Sequence, residues 1–161
     1  MPTPRSPATT LRAQWARLSP LPGGRALFSR MIGWMIPYSG SIHPRVLELR
    51  AGYAKIQMRD RRSVRNHLHS VHAIALMNLG ELTTGLAMTL AMPDDARGIV
   101  TGLSMEYLKK ARGVLTAECI APPFDATVSG PHDFTADIVD TSGAVVARAT
   151  AHWLVGPVPP Q

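Results

Sequence analysis

Only one cysteine, Cys119, occurs in the 161 residues, which excludes an intrachain disulfide and any zinc site built on cysteines. Flanked by Ala117, Ile120 and Ala121, it reads as a small buried hydrophobe in a strand. Charge is also sparse: 17% of residues are Asp, Glu, Lys or Arg against 45% apolar, the balance of an ordinary globular domain rather than a disordered chain. Acidic residues are the scarcer kind, 11 against 17 Lys and Arg, for a net charge of +6. That excess suits a polyanionic or phosphorylated partner. No recognition-helix or RNA-binding signature accompanies it, so nucleic acid is not the expected partner. Met1 to Leu18 has no uninterrupted apolar run of the secretory kind. The longest apolar run, Val71 to Met92, is broken by Asn78 and Glu81, against a membrane-spanning helix. The expectation is a soluble cytoplasmic chain.

The length fits one domain. Met1 to Thr9, rich in Pro, Ser and Thr, is expected to fray, and Leu11 to Leu18 to form a short helix before the turn LPGG. Arg25 to Ile36 reads as a second helix stopped by Pro37. It either packs on the domain or docks on a membrane surface; packing is the expected reading. From Arg45, VLELRAGYAKIQMRD alternates like one long strand with a bulge at Gly52. After the apolar helix come strand-like segments at Gly98 to Leu108, Gly113 to Ile120, Phe134 to Val139 and Val145 to Val155. Pro122-Pro123, Gly130-Pro131 and Asp140 to Gly143 mark the turns between them, and the tail GPVPPQ is not expected to continue a central strand. Connections this short favour antiparallel pairing. The fold class is therefore α+β, an antiparallel sheet around one long helix. Residues 1–36 would be a tail and helices packed on the core, and 37–157 a single domain.

The helix carries polar residues that an apolar segment does not need. Asn78, Glu81 and Thr84 follow one another at three-residue spacing and read as a polar stripe, with Gly85 beside them. A buried carboxylate without partners is costly or takes up a proton. Glu81 therefore either meets a strand backbone or an Arg, or works in a water-filled site. His67, His69 and His72 lack nearby acidic residues and do not make a convincing metal set, so no metal is expected. His72 reads as a turn or cap residue. At about 100° per residue, His72 and Glu81 point to opposite sides of one helix. They could share a site only if two copies of the helix lay side by side.

These residues resemble the central helix of the hot-dog thioesterases, in particular the PaaI-like acyl-CoA thioesterases. There an Asn and a Gly precede a His-Gly-Gly that opens the helix, and an Asp or Glu follows nine residues after the His. Asn66, His72 and Glu81 fall at the matching positions, while Ala73 and Ile74 replace the two glycines and His69 the earlier one. MEYLKKARG, Met105 to Gly113, resembles the strand and basic turn of that family. The longer stretch from Pro37 is similar to an uncharacterised hot-dog family akin to the C-terminal domain of YiiD-like proteins. The resemblance spans about Pro37 to Val155 and implies a hot-dog fold with extra N-terminal helices.

It further implies hydrolysis of an acyl thioester, acyl-CoA above all, at the interface of a homodimer or a dimer of dimers. Coenzyme A would enter as part of the substrate, with no separate cofactor. The backbone N–H of Ala73 would polarise the carbonyl, and Glu81 of the neighbouring subunit would serve as general base or nucleophile. Asn66 and His72 would position groups around the carbonyl, and Thr84 would orient Glu81 or the water. Lys109, Lys110 and Arg112 would bind the coenzyme A phosphates. Leu82, Leu86 and Met88 would line an acyl tunnel. The side chains of Ala73 and Ile74 narrow the approach, and the alternative is a non-catalytic hot-dog protein that binds acyl-CoA or acyl chains.

Overall fold

The computed structural model describes residues 6–158. Helices α1 (Pro7–Leu18), α2 (Gly24–Met35) and α3 (Pro37–Gly40) precede strands β1 (Arg45–Arg50) and β2 (Tyr53–Arg59). A 3₁₀ turn at Arg62–Val64 and a loop lead into the long helix α4 (Ala73–Ala91). Strands β3 (Ala96–Tyr107), β4 (Val114–Ile120), β5 (Gly130–Val139) and β6 (Val145–Pro157) complete the chain. All pairings are antiparallel, in the order β1-β2-β4-β5-β6-β3, and the sheet curls around α4. This is the hot-dog arrangement expected of the sequence.

Helix α4 is long and apolar enough to cross a membrane by length and composition, and its burial within the sheet accounts for that. Leu76, Leu79, Leu82, Leu86, Met88 and Leu90 are all buried, each worth about 1.5–3 kcal/mol relative to exposure. From the sheet, Ile56, Met58, Leu115, Phe134, Ile138 and Val155 close on them. Cys119 lies in this core on β4, and burial pushes its thiol up to about 12, so it remains a neutral packing residue.

Four local expectations change. Residues 6–9 are ordered rather than frayed: Ser6 caps α1 by accepting from Thr9 N (3.1 Å), Pro7 starts the helix, and Asp94 holds both hydroxyls. The expected fraying of residues 1–5 lies outside the described residues. The long strand is a hairpin, because Gly52 takes a φ of 69° between the paired Arg50 and Tyr53. The irregularity in it falls at Leu47 instead. Gly130-Pro131 is the start of β5, not a turn; β4 pairs with β5 only from Ala136 onward, so the missing proline N–H faces no partner there. Likewise β6 runs through Gly156-Pro157, paired at that end with β3 alone.

The two sheet edges are treated differently. Along β1, Val46 N donates to the Ser29 hydroxyl (2.9 Å) and Arg25 donates to the Leu47 carbonyl (3.0 Å), so α2 covers that edge. Phe28 and Ile32 of α2 are buried, and Trp15 of α1 packs edge-on against Phe28. The opposite face of α2 leaves Leu27 and Trp34 exposed. On the other side of the sheet, β3 exposes Ile99, Val100 and Leu103, and no described residue covers its outer edge.

Close approach of α4 to the sheet depends on Gly80, where an added Cβ would overlap the Cβ of Ala149 on β6. Gly80→Ala is expected to lower stability by about 1–3 kcal/mol through overpacking, read by chemical denaturation. An unchanged midpoint would show that α4 can shift freely on β6.

Candidate active site

The loop before α4 is strapped to the turn between β3 and β4. Asp60 N donates to Gly113 O (2.8 Å), Gly113 N donates to the Asp60 carboxylate (3.2 Å), and Val71 N donates to Ala111 O (2.9 Å). Arg65 pairs with Asp60 at 2.6 Å. Burial alone would raise the Asp60 carboxyl, but Arg65 and the Gly113 N–H hold it below the usual range. Arg112 donates to the carbonyls of His69 (3.1 Å) and Leu68 (3.5 Å). Asn66 works inside this loop, its Oδ1 accepting from Leu68 N, Ser70 N and the Ser70 hydroxyl at 2.9–3.2 Å.

His72 is the N-cap of α4. Its Nδ1 accepts from Ile74 N (3.1 Å), which fixes Nδ1 as the unprotonated nitrogen, and its carbonyl accepts from Ala75 N and Leu76 N. The first-turn donor left over is Ala73 N–H, which no described residue accepts. Ala73 and Asn66 line a cavity of about 390 Å³ together with Tyr107, Lys109 and Lys110. The structure thus brings four of the expected residues to one opening at the positive end of α4. Among the described residues, no group of three ligating side chains gathers around His67 and His69.

Glu81 lies two turns along the helix, half-buried, and no described side chain or backbone group pairs with it. Its carboxyl is raised above the ordinary glutamate value by burial alone. The next turn carries Gly85, where a Cβ would sit 3.8 Å from Glu81 Oε1 and 3.4 Å from the Trp153 ring. Gly85 therefore leaves a notch between the carboxylate and the indole. The sequence already placed Gly85, four residues after the carboxylate, beside it; Trp153 left no such sign.

The polar stripe does not form as a line. Residues three apart fall about 60° short of a full turn, so the three side chains fan out. Asn78 is buried and donates to Tyr38 O (3.0 Å), with its Oδ1 unpartnered. Thr84 is fully buried, and its hydroxyl donates to the Glu81 main-chain carbonyl (3.0 Å) rather than to the carboxylate. The stripe that does remain open on α4 runs Ile74, Met77, Glu81, Gly85 and Thr89. Leu82, Leu86 and Met88 are closed into the core, and so do not line an acyl tunnel within the chain. In the basic turn, Lys109 pairs with Asp140 (2.9 Å) and Arg112 holds the loop carbonyls. Lys110 alone of the three has no partner among the described residues.

Residues 24–155 match the model of a family described as Domain of unknown function (DUF4442). The chain belongs to the DUF4442 family. The matched range begins at Gly24 and so takes in α2, which guards the β1 edge. Among solved structures, the structural-genomics protein APC5556 is similar at 33% identity and a TM-score of 0.81, covering 94% of this chain and 99% of its own. PA5026 of Pseudomonas aeruginosa, a protein of unknown function named a probable thioesterase, is 23% identical with a TM-score of 0.70, covering 86% and 97%. A mutant of the phenylacetic acid degradation protein PaaI of Thermus thermophilus is 18% identical with a TM-score of 0.63, covering 73% and 97%. Among curated proteins, no sequence matches the chain. This DUF4442 member therefore shares its fold with PaaI-like hot-dog thioesterases.

If His72 is the cap, His72→Ala should cost about 0.5–2 kcal/mol and His72→Asn much less, since an asparagine side chain caps as well. Equal losses in the two variants, measured by urea unfolding, would assign the imidazole a packing role instead.

Proposed function

We propose that this chain is an acyl-thioester hydrolase, with acyl-CoA as the substrate class, working as a homodimer with composite sites. The observation that carries the reading is Glu81, a half-buried carboxylate without a partner on the one open stripe of an otherwise enclosed helix. The names of structural neighbours support it, thioesterase among them. The open β3 edge supports pairing of two sheets, which would set two α4 helices side by side and antiparallel. In that arrangement Glu81 of one subunit approaches the α4 N-terminus of the other, which its position opposite His72 requires.

The chemistry follows from the groups available. Ala73 N–H, aided by the helix dipole, donates to the thioester carbonyl oxygen as negative charge gathers there. Glu81 takes a proton from water, the hydroxide adds to the carbonyl carbon, and the C–S bond breaks as the tetrahedral intermediate collapses. The thiolate leaves and takes the proton held by Glu81, giving a carboxylic acid and free coenzyme A and restoring the Glu81 carboxylate. Burial that raises the Glu81 carboxyl strengthens it as a base. One observation favours the non-catalytic reading, in which acyl-CoA is bound and not cleaved. The exposed side chain of Ile74 crowds the helix start, and His72 occupies the Ile74 N–H, leaving a single donor for the oxyanion.

Released thiol, followed over acetyl-, medium-chain, long-chain and aryl-CoA, separates the two. Glu81→Ala should lower kcat by about 10²–10⁴-fold while remaining folded and oligomeric. Stabilisation by acyl-CoA with no turnover of any substrate would establish binding without catalysis.

The pH dependence has a defined sign. A carboxyl raised in the folded state leaves stability intact below its unfolded titration and erodes it as pH rises through the folded value. Glu81→Gln should therefore raise the melting temperature at neutral pH and change it little near pH 4. Wild-type kcat/KM should climb with pH through a value above the ordinary glutamate range, and the Gln variant should lack that limb. A Gln variant equally stable to wild type at both pH values would mean that Glu81 is solvated in the native oligomer.

A further inference from the structure

The net positive charge has a destination other than the basic turn. We infer that the recess lined by His43, Arg45, Gln57, Arg59 and Arg61 is a binding site for the phosphates of a phosphorylated nucleotide. The recess is about 210 Å³ and no carboxylate lines it. Arg45 on β1, with Gln57 and Arg59 on β2, project on one face, because Arg45 pairs with Gln57 across the hairpin and Arg59 lies two residues on. Arg61 reaches from the following segment, its long contact to Ser41 O (3.4 Å) being its hydrogen bond among the described residues. His43 is set there by a left-handed φ of 50°, with its N–H bonded to Gly40 O (2.9 Å).

None of Arg45, Arg59 and Arg61 forms an ion pair among the described residues. The nearby acids are committed elsewhere: Asp60 to Arg65 and the Gly113 N–H, and Glu48 to Arg50. Three guanidinium groups around one recess repel each other until an anion enters. Their planar donor forks match phosphate oxygens in pairs.

A second recess of about 290 Å³ shares His43 and Arg45 and is walled by Gly33, Gly40 and Pro44, with Arg30 at its side. Its small, mostly apolar walls suit a flat ring, and a guanidinium and an imidazole offer faces on which one can stack. Phosphate in one recess and a base in the next describe a nucleotide, for which adenosine 3′,5′-bisphosphate serves as the probe. Naming coenzyme A's adenosine 3′-phosphate 5′-diphosphate end as the source rests on the hydrolase reading; the site itself does not. Both recesses sit at the end of the sheet where α4 begins, since Val64, three residues past Arg61, accepts from His72 N (2.8 Å).

The test is calorimetric titration of the full chain with adenosine 3′,5′-bisphosphate, with adenosine and inorganic phosphate as separate arms. Arg45→Ala/Arg59→Ala, both exposed positions, should weaken the bisphosphate at least about tenfold, while Arg97→Ala leaves it unchanged. Adenosine should bind far more weakly than the bisphosphate, and inorganic phosphate should compete with it. The inference is overturned if wild type does not bind the bisphosphate, if the double variant binds it as wild type does, or if Lys110→Ala abolishes binding instead. For the coenzyme A source, the double variant should raise KM for acyl-CoA with kcat kept, and leave hydrolysis of the matching N-acetylcysteamine thioester unaltered. Loss of both substrates alike would overturn that assignment. A chain that binds the bisphosphate through Arg45 and Arg59 but hydrolyses nothing would sink the hydrolase reading and leave this site standing.

Discussion

Enclosure of one apolar helix by a single curled sheet is the constraint on which the rest of the structure depends. The sheet can reach α4 from most directions but not all, because its first and last strands, β1 and β3, do not meet. Whatever lies on the remaining strip of helix has only solvent or another molecule for company. Most of that strip is what such a helix can leave half-exposed at little cost: Ile74, Met77, Gly85 and Thr89. Glu81 is the exception, and its raised carboxyl records the tension between apolar surroundings and a charge. The partnerless carboxylate on this strip is thus a by-product of incomplete wrapping.

The segment before α4 is as constrained as the helix. Its residues carry three histidines and a dense run of arginines, yet it is pinned at Asp60, at Val71 and at His69 to the turn that follows β3. Arg112 is spent on that pinning, and Asn66 on bracing the loop from within. A lip pinned in this way holds the start of α4, and with it Ala73 N–H, at a fixed place. Arginines without an ion pair among the described residues lie on the other flank, around His43.

Much of the fold was legible from periodicity. The apolar run fixed α4 to within a residue or two, and the spacing of the last four strands followed from alternation. What was missed depended on partners distant in sequence. An Ala-Gly turn looks like a bulge until β1 and β2 are known to pair. Gly130-Pro131 looks like a turn until β4 is seen to stop short of it. At the site, the helix start at His72 and the carboxylate at Glu81 were readable, because both leave local signs, whereas Asn66 came only from the family resemblance. The destinations of Thr84 and Lys109 were not, since a hydroxyl bonded to its own helix and a lysine paired with Asp140 of another turn look like any other polar residue in one dimension.

The cover that α2 lays over β1 also sets how far copies of this chain can add to one another. A sheet with two free edges is a bifunctional monomer and can polymerise; a sheet with one is a chain terminator. Here Ser29 and Arg25 have already taken the Val46 N–H and the Leu47 carbonyl of β1, whereas no described residue covers the outer edge of β3. Were two copies to join through β3, the edge left on each would be β1, where α2 already lies, and such an edge disfavours extension into a fibre.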